Sequence, residues 1–361
     1  MRAKKIVALV ALLLASTTLS FVAAEGVARL VSPFPEKHET HWMLSSPTFR
    51  ADAHGAVRYV PNQTIRSVIL RDDAIVYDVR FRTNDLGFID HEDYLAPSER
   101  GANGPRYAFV GDSFTAGFHG GTPWVPALRD RARETNPDLE IYNLGVSGTG
   151  FEHFVRLLES AGAEVDFSEI VILAISYDFW RPYWTPLATD DALRFCGTDE
   201  PPAYCLAAVR PVARIFDEEL NQSEMLALAA KQAEGQVSAP RKPRDRLLEH
   251  SRLAALLFEQ YRRFKLRLSR HESLNRLAGL RDAFPDKKIR FIHLPSMRGL
   301  TRGGYDLHLE DEIAELGIQY FPALTACSWP EGMFFAGDGH PNAVGYEAIA
   351  RCVSNHLDLT P

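Results

Sequence analysis

The sequence predicts an α/β fold: a central parallel sheet with helices on both faces, preceded by a small β-rich extension. Three observations predict it. From Arg106 to the C-terminus, strand-like apolar runs alternate with runs of helical period, the pattern of a parallel sheet wound with helices. One of those strands, Glu169–Ser176 (EIVILAIS), is apolar on both faces, as a strand inside a covered sheet is. Earlier, from Ala56 to Phe81, β-branched and aromatic residues instead alternate with polar ones.

The bulk numbers agree with a folded protein. The chain has 361 residues, 46% hydrophobic and 24% charged, enough for one large domain or two small ones and against disorder. A net charge of −7, with no basic stripe interleaved with aromatics, excludes an ordinary nucleic-acid binder. The basic runs at Arg241–Arg246 and from Arg262 read as solvated faces.

Taken in order, the chain opens on a basic leader, MRAKK, followed by an apolar run from Ile6 to Ala24 that meets no charge until Glu25. This is an export signal. Its length, near the ~20 residues that span a bilayer, favours a retained anchor with a cytoplasmic N-terminus. The small residues of SFVAAEG also offer a cleavage site, which would make the protein secreted. In either case the folded part lies outside the cytoplasm. A Pro-containing connector leads to the β-like run, broken by turns at RDD and NDLGF and ending in the linker APSERGANGP.

Strands are then expected at RYAFVGDS, LEIYNLG, EIVILAIS and KIRFIHLPS, with a weaker fifth at QYFPAL. Helices are expected from near Pro123, over TGFEHFVRLLESAG, over the long run from Leu253 to Phe284, over DEIAELGI and from Asn342 to Leu357. The stretch from Arg181 to about His250 breaks this rhythm. It reads as an insertion beside the third strand, either walling a site or embellishing the surface. The expected organisation is a signal segment over 1–30, an extension and linker over 37–100, and a main domain over 105–361 interrupted at about 181–250.

Four cysteines suit an oxidising compartment. Cys196 and Cys205 flank a Gly/Pro-rich turn and are one candidate pair; Cys327 and Cys352 are the other. Connectivity stays open from sequence alone, and zinc lacks support because there is no CxxC and no close His/Cys spacing. No cofactor or metal is called for.

Chemistry concentrates at strand ends. Gly111-Asp112-Ser113 closes the first parallel strand, where Asp and Ser serve either as helix caps or to display a nucleophile. Asp338 and His340 share one loop before the last helix; they are a carboxylate and an imidazole of the kind that activates a serine, or a cap and a polar loop residue. After the second strand, Gly145 in YNLGVSGTG is placed to offer its N–H to an oxyanion, or is an ordinary turn glycine.

These blocks, GDSF, NLGVSG and DGHPN, resemble those of the SGNH/GDSL serine hydrolases, from Arg106 to the C-terminus apart from the insertion. TNDLGFIDHEDY followed by GDSFTAG also resembles the lead-in of membrane-anchored bacterial members. The resemblance implies a flavodoxin-like three-layer α/β/α fold, with Ser113 as nucleophile, His340 as base, Asp338 orienting it and Gly145 in the oxyanion hole beside the Ser113 amide. It also implies anchoring in the inner membrane facing the periplasm. Only one residue separates Asp338 from His340, where many members have two. The third family block is Gly-x-Asn-Asp; here Asp178 matches but Tyr177 stands where the Asn donor should be. Tyr177 either donates in its place or packs, with Asn143 a candidate substitute. The aromatics of YDFWRPYW suit sugar rings or acyl chains, or core packing. Asp112 and Asp178 are cleft candidates, and His119 either lines the cleft or sits in a surface loop.

The function expected is cleavage or transfer of an acyl ester, from a small molecule or a glycan, through an acyl-enzyme at Ser113. The alternative is a non-catalytic envelope protein binding glycan or a partner on the same fold.

Overall fold

The computed structural model describes residues 2–33, 40–45, 48–52, 55–72, 74–94, 104–188, 192–195, 209–214, 220–235, 243–302 and 309–359. The chain divides into two compact units, Met1–His38 with Ala233–Leu268, and Glu39–Gln232 with Ser269–Pro361.

The first unit begins with α1 (Arg2–Val31), whose segment Ala11–Val31 has a mean hydropathy of 1.6 and is long and apolar enough to cross a membrane. In the same unit the Glu25 carboxylate accepts from the Arg252 and Leu253 amides at 2.8 and 2.9 Å, capping the helix that starts at Arg252.

The second unit begins with β1 (Thr40–Leu44), β2 (Phe49–Ala51), β3 (Val57–Tyr59), β4 (Thr64–Arg71) and β5 (Ala74–Arg82). Next come β6 (Arg106–Gly111), α2 (Ser113–Ala116), α3 (Trp124–Arg133), β7 (Glu140–Gly145), α4 (Phe151–Gly162) and β8 (Glu169–Ile175). Between β8 and the next core strand the chain runs through β9 (Pro186–Ala188), β10 (Ala192–Phe195), β11 (Val209–Arg214) and α5 (Gln222–Gly235), then through α6 (Pro243–His250) and the start of α7 (Arg252–Ala283), which belong to the first unit. The chain closes with β12 (Lys288–Leu294), α8 (Met297–Arg302), α9 (Glu310–Glu315), β13 (Gln319–Phe321), α10 (Ala323–Ala326) and α11 (Ala343–His356).

The core sheet is parallel throughout, in the order β13-β12-β8-β6-β7. Numbered along the chain, that is the flavodoxin-like order 2-1-3-4-5, as expected, and it reverses direction at β6. Alternate side chains of each strand go to opposite faces. Ala108, Val110, Ile170, Ile172 and Phe291 pack with Phe154 and Leu158 of α4 and with Leu277 and Leu280 of α7. Phe109, Val171, Leu173, Ile292 and Leu294 pack with Val125 and Leu128 of α3 and with Ile349 and Val353 of α11. Two apolar faces, each covered by helices, make the three layers.

The extension and the insertion share a second sheet of order β5-β4-β1-β11-β10-β9. β1 pairs antiparallel with β4 and parallel with β11, Trp42 lying opposite Val212. Met43, Val68 and Leu70 of this sheet enclose Met225 of α5.

Candidate active site

β6 ends at Gly111 and the chain turns at once into α2. Only glycine fits there: a Cβ would lie 2.1 Å from Thr115 Oγ1 and 2.3 Å from the Leu173 carbonyl oxygen. Asp112 caps α2, its Oδ1 accepting from the Phe114 N–H at 2.8 Å. Ser113 is the first helical residue, and its own N–H has no acceptor among the described residues, as first-turn amides do not. The topological reversal at β6 puts this turn where ligands bind in open α/β sheets.

The loop bearing Asp338 and His340 folds back on Phe335. The Gly339 N–H donates to the Phe335 carbonyl at 3.2 Å, and the Phe335 N–H donates to the His340 carbonyl at 2.9 Å. Asn342, not Asp338, caps α11, accepting from the Gly345 N–H at 3.1 Å. His340 Nδ1 is 2.6 Å from Asp338 Oδ2, and His340 Nε2 is 2.8 Å from Ser113 Oγ. An imidazole held between a carboxylate and a hydroxyl in this way is protonated at Nδ1 and presents its Nε2 lone pair to the hydroxyl. Ser113, Asp338 and His340 are therefore brought together. The disulfide between Cys327 and Cys352 closes the segment that carries two of them; Cys196 and Cys205 lie outside the described residues.

Other expected residues take different places. Gly145 does not offer a free amide, because its N–H donates to Asn143 Oδ1 at 3.1 Å. Its smallness serves packing instead: a Cβ would fall 2.2 Å from the Ala116 amide nitrogen. Asn143 is likewise no substitute oxyanion donor. It is fully buried, and its Nδ2 donates to the Ile89 carbonyl at 2.9 Å. In the turn that follows, the Val146 N–H donates to the Gly111 carbonyl at 3.1 Å and the Ser147 N–H to the Tyr59 hydroxyl at 3.1 Å. Gly148, at φ 75°, keeps an amide with no acceptor among the described residues. Tyr177 lies with its ring under the Arg181 guanidinium, 4.9 Å from the centroid, and 5.2 Å from the Trp180 ring.

Arg181, like Gly148, is a site residue that sequence reasoning missed. It is buried, and its guanidinium joins two carboxylates, donating to Asp178 Oδ1 from Nε at 2.9 Å and from Nη2 to Asp112 Oδ2. Asp178 also accepts from the Ile175 N–H at 2.9 Å. Burial, and next the Asp112 charge, push the Asp178 carboxyl up to about 7 against the pull of Arg181. Burial opposes the Arg181 charge, but Asp178 and Asp112 outweigh it and hold the guanidinium protonated. The available signal was an arginine three residues after Asp178 at a strand end, within a segment whose aromatics drew attention first.

His119 is no surface-loop residue: only 2% of it is exposed. Its ring lies 3.8 Å from the His340 ring at an interplanar angle of 8°. His119, Asp338 and His340 bring ligand atoms within 4.8 Å of one another, as a metal site would. The lone pairs of two stacked imidazoles lie in parallel planes and do not converge on one ion, and both His340 nitrogens already have partners. The cluster therefore fits hydrogen-bond chemistry better than metal binding.

A family model of the GDSL-like lipases and acylhydrolases matches residues 107–353. No curated protein matches the chain. Among solved structures, TesA is similar with a TM-score of 0.39 at 14% identity, covering 70% of this chain and 99% of that one. The lipase/acylhydrolase from Enterococcus faecalis is similar with a TM-score of 0.37 at 13% identity, covering 70% and 95%. A catalytic mutant of Axe2, an acetylxylan esterase from Geobacillus stearothermophilus, is similar with a TM-score of 0.36 at 13% identity, covering 71% and 96%.

Proposed function

Because this chain belongs to the family of GDSL-like lipases and acylhydrolases, hydrolases that act on esters, we propose that Ser113 is its nucleophile, His340 its general base and Asp338 the carboxylate that orients the base. Ser113 Oγ attacks the ester carbonyl as its proton passes to His340 Nε2. Asp338 stabilises the imidazolium so formed. The tetrahedral oxyanion is met by the Ser113 and Gly148 amides, which have no acceptor among the described residues. Collapse returns the proton from Nε2 to the leaving alcohol and leaves an acyl-enzyme on Ser113. A second cycle, with His340 again as base, gives the acyl group to an acceptor. Water as acceptor makes an esterase; a sugar hydroxyl makes an O-acyltransferase.

The observation that carries this reading is the contact chain from Ser113 Oγ through His340 to Asp338, at 2.8 and 2.6 Å. The competing idea of a glycan-binding protein drew on Tyr177 in place of a donor. Tyr177 packs against Arg181, so the proposed oxyanion site rests on backbone amides, and the contacts joining Ser113, His340 and Asp338 favour the catalytic reading. Export through α1, with the catalytic unit on the far side of the membrane, is supported by the apolar stretch Ala11–Val31 and the basic residues before it.

The test is covalent labelling of the full-length protein in detergent with a fluorophosphonate. Labelling at Ser113 is expected, abolished in Ser113→Ala and nearly so in His340→Ala. A folded wild type that takes no label, or a His340→Ala variant that labels at the wild-type rate, overturns the assignment.

A further inference from the structure

We propose that His119 is a positioning residue for this chemistry: an imidazole stacked on the face of His340 that holds the base in line with Ser113 and stabilises the positive charge it acquires. The inference rests on the reading of His340 as general base.

The two in-plane contacts of His340, to Ser113 and Asp338, set how its ring is turned within its plane. They do little to stop it tilting out of that plane. The face contact at 3.8 Å and 8° does. His119 is itself clamped. Phe118 stacks on it at 3.9 Å and 24°, and two rings at such distances cannot share one face, so His119 lies between Phe118 and His340. Phe118 rests in turn on Phe81 of β5, at 4.4 Å. Tyr77, also on β5, meets the His119 ring edge-on at 5.2 Å. His119 Nδ1 is 3.2 Å from the Tyr346 hydroxyl, which donates to the Ser113 carbonyl at 3.4 Å; with that proton so placed, Nδ1–H of His119 is the donor to the tyrosine oxygen.

The stack excludes a proton relay, because no nitrogen of one ring points at a nitrogen of the other. What remains is the π face. A cation over an aromatic face is attracted to it, more so in a buried site. His340 becomes a cation during each proton transfer, and His119 serves only while it is itself neutral. Burial, and then the charge on His340, hold its pKa well below 6.5.

The experiment compares His119→Phe with His119→Gln by the rate of fluorophosphonate labelling at Ser113 and by thermal melting, with His340→Ala alongside. Phenylalanine keeps the face and loses the Tyr346 bond; glutamine keeps a hydrogen bond and loses the face. His119→Phe is expected within about threefold of wild type, and His119→Gln roughly tenfold slower, which is ~1.4 kcal/mol of barrier. Should the glutamine variant not fold, His119→Leu replaces it with the same expectation. A glutamine or leucine variant as fast as wild type, or a phenylalanine variant as slow as either, overturns the role of His119. His340→Ala labelling at the wild-type rate instead removes the base assignment, a different failure with a different signature.

Discussion

Arg181 joins the residue that caps the serine helix to the carboxylate at the end of β8. Its side chain is 9% exposed, while those of Asp112 and Asp178 are 1% and 0%. Two buried carboxylates without their shared cation are costly, so Arg181→Met is expected to destabilise the protein by roughly 3–5 kcal/mol. Urea unfolding measures it; a loss under about 1 kcal/mol would mean that the carboxylates have another partner. The pH dependence has a definite sign. Asp178 is raised from 3.8 to about 7 in the fold, so the folded state holds more protons than the unfolded between those values. Its contribution therefore makes stability fall as pH rises through that window. Removing Arg181 takes away the group that holds Asp178 down, and the loss is expected to grow toward high pH.

At the scale of elements, the β-rich extension is tied to the core domain through α4. His153 of α4 is fully buried, and its Nε2 accepts from the Val57 N–H of β3 at 2.9 Å. Arg58 of β3 bonds to Ser160 at the far end of α4 and to Glu164 in the turn that follows it. An acceptor nitrogen must be unprotonated, and burial first, then Arg156, depress the His153 pKa from 6.5 to about 3. A histidine depressed in the fold binds its proton more readily when unfolded. Its stabilising contribution is whole above the unfolded value and is lost as pH falls from 6.5 toward 3, by a few kcal/mol at the limit. Between pH 7 and pH 4 the unfolding free energy of wild type is expected to fall relative to that of His153→Gln, because glutamine accepts from Val57 without titrating. Parallel curves for the two proteins would refute this account of the tie.

At the scale of the whole molecule, the last element is held to the segment before it by the Cys327–Cys352 disulfide, across a sequence separation of 25. Closing such a loop in the unfolded chain is worth about 3.5 kcal/mol. Asp338 and His340 lie inside it, so reduction is expected both to lower the urea midpoint and to slow labelling of Ser113. Dithiothreitol should have neither effect on a Cys327→Ala/Cys352→Ala variant, and an equal response in the two proteins would argue against this bond as the cause. The second sheet is also a whole-molecule feature. β1 and β11 pair in parallel across most of the second unit's chain, so the extension and the insertion form their sheet jointly.

What the sequence determined by itself is what neighbours along the chain decide. The apolar period of β6, β7, β8 and β12, the turn into Ser113 and the final helix all follow from steric and hydrogen-bonding preferences acting over a few residues. Ser113 was legible because it sits at a strand end that those preferences mark, and Asp338 and His340 because they share the loop before the final helix. The tertiary structure decided what depends on which distant segments meet. Arg181 reaches Asp112 across 69 positions, and His119 reaches His340 from the other end of the domain. Gly145 lies between these cases: its smallness is local in sequence, but the Asn143 side chain takes its amide, and that side chain is oriented by the Ile89 carbonyl. Composition and period carry no record of such choices, because a buried arginine and an exposed one are the same letter, and only packing distinguishes them.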